Sequence, residues 1–390
     1  MTKEEFIKLN RNVSADTLRL KFHDKGLPWL EEAITQIECL GKAGKKFNIG
    51  DKSYLPETLV STLSLEQATA PAIAQFHASL PDQGSKILDI TMGLGMDASI
   101  FAINGAMKVT ACEINPELAE ASRKNYAHIP NLEIINKDSS EILNQLQDNS
   151  YDLIFADPAR RGEQGQRVYN LHDCTPDLIE LTPQLRRIAP RMLAKLSPML
   201  DVSQTISDLS NVHTLYVVDD TNECKEILAD VRWNSSLPPM IIVKSGEMTF
   251  AFTKQDEASV QMRYALPETG DILYEPSPAM MKAAPFKLIS NITAGALADN
   301  THLYLSETPI SLPGRQIRIK NIHSLSSSGV KEISRTYSQL NIAVRNFPSS
   351  VKELVKKLKI KEGGNLRAIA VSLINGQRCL IVGEPISQNN

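Results

Sequence analysis

The stretch Ile87-Leu88-Asp89-Ile90-Thr91-Met92-Gly93-Leu94-Gly95-Met96-Asp97 decides the fold. An apolar run closes on an acid, two glycines follow, and a helical pattern begins. Glycines at a strand-to-helix turn let the backbone pass close to a ligand, where a Cβ would collide with it. Gly-x-Gly alone is weak evidence, and a dinucleotide fold would carry a further glycine at the sixth position, where Ala98 stands.

Outward from this turn, short apolar runs alternate with helical or loop segments at 86–90, 108–113, 132–135, 151–156, 192–196, 214–218 and 240–243. Regular alternation of this kind predicts an α/β fold, a Rossmann-like parallel sheet covered by helices. Glu113 ends the second run, 24 residues after Asp89, where an acid can accept both hydroxyls of a ribose. Asp138 closes the third run and can accept a hydrogen bond from an adenine amino group. Asp157-Pro158 closes the fourth. Ligands of open α/β sheets bind across the carboxyl ends of the strands, so Asp89, Gly93, Gly95, Glu113, Asp138 and Asp157 are expected to share one crevice. Taken singly, each acid has a plainer role: Asp89 as a helix cap, Glu113 as a solvated strand end, Asp138 as a turn residue.

In this order the residues resemble the class I S-adenosylmethionine-dependent methyltransferases over roughly 65–254. The glycine loop looks like their first motif, Glu113 like their ribose-binding acid and Asp138 like their adenine-contacting acid, so the resemblance implies S-adenosylmethionine as cofactor. Leu65-Glu66-Gln67-Ala68-Thr69 resembles a segment that some members place against the methionine end, which adds Gln67 and Thr69 to the expected cofactor contacts, unless the segment is a simple helix start. Members acting on exocyclic amines of bases carry Asp/Asn-Pro-Pro-Tyr/Phe where this chain has Asp157-Pro158-Ala159-Arg160. Asp157 and Pro158 are therefore the expected catalytic pair, and the stacking ring is missing. Arg160 and Arg161 can stack on a base or hold phosphate, and Tyr169 can supply a ring; the alternative is that the arginines pair with acids. Lys195 and Asp201 line the substrate side or serve the structure.

The segments Ala156-Asp157-Pro158-Ala159-Arg160-Arg161, Leu193-Ala194-Lys195-Leu196-Ser197-Pro198 and Val344-Arg345-Asn346-Phe347-Pro348 are similar to a bacterial group of methyltransferases with a C-terminal THUMP-like domain. THUMP domains in their relatives bind tRNA and deliver it to an attached enzyme. Charge agrees: from Arg315 onward thirteen Lys and Arg face four Glu, a balance of +9 in a chain of net charge −3, which leaves −12 for the rest. Such asymmetry suits an anionic partner at the C-terminal part. In 351–360, Val351, Leu354, Val355 and Leu358 share one helical face, while Lys352, Lys356, Lys357 and Lys359 lie largely elsewhere.

At 390 residues the chain exceeds one ordinary core. The expected organisation is an N-terminal helical segment at 1–80, a methyltransferase domain at 81–270, a small α+β ferredoxin-like linking module at 271–322, and a THUMP-like basic α+β domain at 323–390. In the last, a strand at 341–347, a helix to Ile360 and a hairpin of 366–373 with 378–382 form a β-α-β-β unit. Hydrophobic content of 42% with 22% charged residues is globular, and no run of about 18 apolar residues predicts a membrane span. The N-terminus lacks the pattern of an export signal, and five scattered cysteines show no Cys-x-x-Cys pair or metal-ligand spacing. A cytoplasmic, metal-free methyltransferase of RNA, monomeric or loosely associated and with tRNA favoured over rRNA, is expected. The alternatives are a methyltransferase of a small molecule or protein, and an RNA-binding protein whose methyltransferase fold is inactive.

Overall fold

The computed structural model of the protein describes residues 1–49, 52–53, 61–160, 170–220 and 223–386. They form two compact units, one of Met1–Lys195 with Asp208–Asn211 and Asp230–Ser235, the other of Leu196–Ser207, Val212–Ala229 and Ser236–Asn390. No helix among the described residues is long and apolar enough to cross a membrane.

In the first unit, helix α1 (Lys3–Asn10) starts on a reciprocal cap. Glu5 N donates to Thr2 Oγ1 at 3.2 Å and Thr2 N to Glu5 Oε2 at 2.9 Å. With α2 (Ala15–Phe22) and α3 (Leu30–Phe47) it encloses a small core, in which Phe6 meets Phe22 and Trp29 edge-on at 4.9 and 5.4 Å. Helices α4 (Thr62–Gln67) and α5 (Pro71–Ala78) lead to the sheet.

Strands β1 (Lys86–Asp89), β2 (Lys108–Cys112), β3 (Leu132–Ile135), β4 (Leu153–Ala156) and β5 (Arg191–Leu196) pair in parallel in the order β5-β4-β1-β2-β3. Helices α6 (Met96–Ile103), α7 (Pro116–Asn125) and α8 (Ser139–Gln145) return the chain after β1, β2 and β3. Both faces must be apolar for such a sheet, and Ile87, Leu88, Val109, Ile154, Phe155 and Leu193 are all buried. Growth reverses at β1, with β2 on one side and β4 on the other. The crevice of such a sheet therefore opens at the carboxyl ends of β1 and β4.

The second unit contains β6 (Val212–Asp219), which pairs in parallel with β7 (Met240–Ser245), and β8 (Met248–Thr253), which turns back antiparallel through Gly246 at φ +57°. Neither β8 nor the strand Cys224–Arg232 was expected from the sequence. The latter hides because Glu226 and Asp230, 2% and 1% exposed, interrupt its apolar pattern.

A seven-stranded sheet follows, built from β9 (Ile272–Pro276), β10 (Gly295–Ala296), β11 (Tyr304–Ser306), β12 (Gly314–Ser324), β13 (Gln339–Arg345), β14 (Lys361–Ser372) and β15 (Arg378–Pro385), in the order β10-β11-β9-β12-β15-β14-β13. Strand β12 runs unbroken through the division expected between 322 and 323, because it pairs with β9 along one edge and β15 along the other. Helices α9 (Ser327–Thr336) and α10 (Val351–Leu358) pack on one face through Ile333, Leu354 and Leu358. Ser350 and Glu353 cap α10 reciprocally, and the helix stops two residues before the expected Ile360, where Lys359 turns to φ +53°. The β-α-β-β unit is present as β13-α10-β14-β15, with β13 and β14 parallel and β14 and β15 antiparallel.

One buried ion pair anchors β5. Arg191 donates to Asp230 at 2.8 and 3.0 Å and to Leu80 O at 2.9 Å, and Arg232 adds a bond to Asp230 at 3.1 Å. Removing the carboxylate strands the Arg191 guanidinium, so Asp230→Ala is expected to lower unfolding free energy by about 3 kcal/mol. Urea denaturation followed by circular dichroism measures it, and a change below about 1 kcal/mol would make the pair dispensable.

Candidate active site

The glycine turn is fixed from several sides. Ile90 N donates to Phe155 O at 3.0 Å, Met92 N to Cys112 O at 2.9 Å and Glu113 N to Ile135 O at 3.0 Å, so the ends of β1 to β4 stay in register beyond the strands. Both glycines have positive φ, +56° at Gly93 and +81° at Gly95, where a side chain is strained. Their surroundings differ. A Cβ on Gly95 would stand 2.8 Å from Tyr126 Cε2, whereas one on Gly93 would meet nothing within 4 Å. Packing thus demands Gly95, and open space for a ligand adjoins Gly93.

Around that space stand four acids. Asp89, 1% exposed at the end of β1, accepts from Thr91 N at 2.9 Å. Burial lifts its carboxyl well above the usual carboxylate range despite the Thr91 bond, and the charges of Asp97, Asp157 and Glu113 push the same way. Glu113 accepts from Asn115 N through Oε1 and from Gly93 N through Oε2, both at 2.8 Å. Its burial raises the carboxyl, while these backbone donors oppose the rise. Asp157 follows β4; its N–H donates to Thr91 Oγ1 at 2.5 Å, and Lys195 Nζ donates to its Oδ2. Pro158 beside it is buried.

The fourth acid, Asp97 on α6, was quoted in the motif without a role. It accepts from Thr69 Oγ1 at 2.5 Å and lies 2.7 Å from His77 Nδ1 of α5. Burial pushes its carboxyl up, yet His77, Lys195 and Thr69 together outweigh burial and hold it below the usual range. Thr69 therefore has its hydroxyl on Asp97, and Gln67 is exposed at the end of α4. No sequence signal marks this group, because its members are 20 and 28 residues apart on separate helices and a loop. Ile114, next to Glu113, is an aliphatic side chain left 66% exposed.

Asp138 caps α8, with Oδ1 accepting from Ser140 N at 2.8 Å and Ser140 Oγ at 2.7 Å, and it remains partly exposed at the end of β3. Asp201 caps the helix Val202–Asp208 in the same way, through Ser203 N and Gln204 N at 2.8 Å each. The backbone of Arg160 pairs with Cys174 in a short antiparallel ladder. Arg161 and Tyr169 lie outside the described residues. In the second unit Lys352, Lys356, Lys357 and Lys359 are all exposed, as are Lys331 and Arg335 on α9. Arg345 and Arg367 are instead ion-paired with Glu275 of β9.

Three segments of the chain match families of known proteins. Residues 88–158 match a family described as a methyltransferase domain, 273–313 one described as a ferredoxin-like domain, and 314–385 one described as THUMP domain-like. Ribosomal RNA small subunit methyltransferase J of Legionella pneumophila strain Philadelphia 1 is 40% identical over 90 residues, which cover 21% of this chain and 37% of that protein. The protein of strain Paris is 39% identical over the same length. The chain thus spans little more than a third of these relatives. A crystal structure from Porphyromonas gingivalis W83, provisionally described as a methyltransferase, is 30% identical, covers 99% of this chain and 98% of its own, and superposes with a TM-score of 0.86.

The raised Asp89 carboxyl has a consequence for stability. A group whose folded-state pKa is raised stabilises the fold below its unfolded value, near 4, and loses that contribution as pH rises through the folded value. Asn at 89 keeps the acceptor for Thr91 N without the charge. Ligand-free Asp89→Asn is therefore expected to melt above wild type at neutral pH, with the gap closing on acidification towards pH 4. A gap that widens on acidification, by thermal denaturation, would contradict a strained buried carboxylate.

Proposed function

We propose, given that this chain belongs to the bacterial family of class I S-adenosylmethionine-dependent methyltransferases with a C-terminal THUMP-like domain, that it methylates RNA using S-adenosylmethionine. The observation that carries the cofactor is the open, positive-φ turn at Gly93 facing the Glu113 carboxylate. The residues fit the group. Gly93 leaves room for it, Glu113 can accept from a ribose diol, Ile114 offers an apolar surface to a purine, and Asp138 can take a hydrogen bond from its amino group. Asp89, Asp97, Glu113 and Asp157 together suit a ligand bearing positive charge. Thr69, bonded to Asp97, and Gln67 complete the proposed set.

Bound S-adenosylmethionine supplies an electrophilic methyl group. The chain contributes alignment. Asp157, steadied by Thr91 and Lys195 and followed by buried Pro158, orients the nucleophile, which is the larger part of what such an enzyme can add. Arg160, Arg161 and Tyr169 are the proposed substrate contacts beyond it. The RNA-binding surface is the exposed basic face of α9 and α10, where Lys352 and Lys356 stand with Lys331, Arg335, Lys357 and Lys359. Transfer RNA is the favoured acceptor, on the strength of the THUMP-like match at 314–385. Ribosomal RNA is the second reading, favoured by the names of the L. pneumophila relatives. A cytoplasmic monomer would suffice for either.

Two substitutions separate the cofactor role from the chemical one. Glu113→Ala should weaken S-adenosylmethionine binding by about 1 to 3 kcal/mol in calorimetry, because a charged acceptor is removed. Asp157→Ala should leave that affinity within a few fold and lower turnover on the order of 100-fold. Equal loss of binding in both would make Asp157 a cofactor residue.

For the basic face, changing Lys352, Lys356, Lys357 and Lys359 to Gln removes charge at little cost in helix propensity. Each lysine that grips a phosphate should, once neutralised, flatten the slope of log affinity against log salt by about 0.7 to 0.9, while cofactor affinity stays the same. Filter binding of total tRNA across a salt series reads this. A wild-type slope would make these lysines an ordinary solvated face.

A further inference from the structure

We infer that Lys195 is a positioning residue of the methyl-transfer site, holding the Asp157 carboxylate ionised and aimed at the incoming nucleophile. The inference rests on the role proposed above for Asp157. Lys195 is placed by the sheet, since Ala156 and Ala194 are partners in the β4–β5 ladder and Asp157 and Lys195 are the next residues on each strand. Nζ meets Asp157 Oδ2, and the two side chains are only 15% and 34% exposed. The backbone N–H of Asp157 is meanwhile tied to Thr91 Oγ1, so main chain and side chain are restrained from different strands.

The charges that face Asp157 make this cation matter. Asp89 at the end of β1 acts on it directly, and the same cluster holds Asp97 of α6, paired with His77 of α5, and Glu113 at the end of β2. Tyr126, after α7, adds a buried phenol. Lys195 acts on Asp97 as well as on Asp157. Removing it takes a cation from beside Asp157 in this group of carboxylates, a change that favours the protonated form.

The chemistry requires the ionised form. The nucleophile's lone pair forms the bond to the methyl carbon, the carbon–sulfur pair stays with sulfur, and the proton given up by the nucleophile passes to Asp157. A protonated Asp157 can neither take that proton nor accept the hydrogen bond that orients the nucleophile.

The test compares wild type, Lys195→Met, Lys195→Arg and Asp157→Ala. Transfer from methyl-labelled S-adenosylmethionine to total RNA of a strain lacking the gene is followed across pH. Carbon-13 NMR of labelled aspartate carboxyls is run in parallel, with the Asp157 signal assigned by its disappearance in Asp157→Ala. Lys195→Met is expected to lower turnover at neutral pH on the order of 10-fold or more and to recover part of it in alkali. The acid limb of the rate profile and the Asp157 NMR titration should both move up by about one pH unit or more. Lys195→Arg should restore most of both, and cofactor affinity should be unchanged or tighter, since a cation near a cationic ligand has been removed. A uniform loss at every pH with the NMR titration unmoved overturns the inference, as does wild-type turnover. If the NMR titration moves while Asp157→Ala keeps full turnover, the role proposed for Asp157 fails and the ionic link to Lys195 stands. If no RNA accepts a methyl group, the NMR arm still decides the link.

Discussion

The reversal of strand order at β1 is the constraint on which the candidate site depends. It brings the ends of β1, β2 and β4 together and leaves a gap there, so the acids that follow those strands must share one poorly solvated space. Carboxylates crowded in this way are costly unless each is given donors. The structure supplies them one by one: Thr91 N to Asp89, Gly93 and Asn115 N to Glu113, Thr69 and His77 to Asp97, Lys195 to Asp157. Asp89, at 1% exposure, has one backbone donor among the described residues, and burial lifts its carboxyl well above the ordinary range. Strain of this kind in a ligand-free crevice is relieved by a cationic ligand, which links the stability of the turn to occupancy of the site.

Much of this was legible in the sequence because parallel strands write their ends into the chain at regular intervals. Asp89, Gly93, Glu113, Asp138 and Asp157 each close or follow an apolar run, and the structure brings Asp89, Gly93, Glu113 and Asp157 together. Legibility stopped where interactions cross between elements. The Thr69–Asp97–His77 group joins a loop and two helices with no shared period, and the Asp157–Lys195 link spans 38 residues through a lateral strand pairing. Spacing also could not separate the two glycines, whose different needs come from Tyr126 packing on one and open space beside the other. Nor could it separate a strand-end acid from a helix cap. Asp138 and Asp201 both cap the helices that follow them.

In the second unit the helical period of α10 was plain, since Leu354 and Leu358 had to face inward and the lysines outward. The count of basic residues was a poorer guide to surface charge. Arg345 and Arg367 belong to Glu275, and Lys320 pairs with Glu384, so part of the excess of positive charge is already used within the sheet. Of the rest, Lys331, Arg335, Lys352, Lys356 and Lys357 lie on the two helices, alongside Glu332 and Glu353.

This division of charge follows from the chemistry at the crevice. A site lined by Asp89, Asp97, Glu113 and Asp157 attracts a cation and repels phosphate. The repulsion is short-ranged, because salt screens charges beyond about 8 Å under physiological conditions. Attraction can therefore be placed elsewhere on the chain without being cancelled. The +9 balance from Arg315 onward, in a chain of net charge −3, keeps the excess of cationic residues in a different part of the chain from these acids. Neither half could do the other's work by a change of a few residues. Neutralising the crevice acids would take away the carboxylates that Lys195 and His77 bond, and acidifying α10 would remove its exposed positive charge.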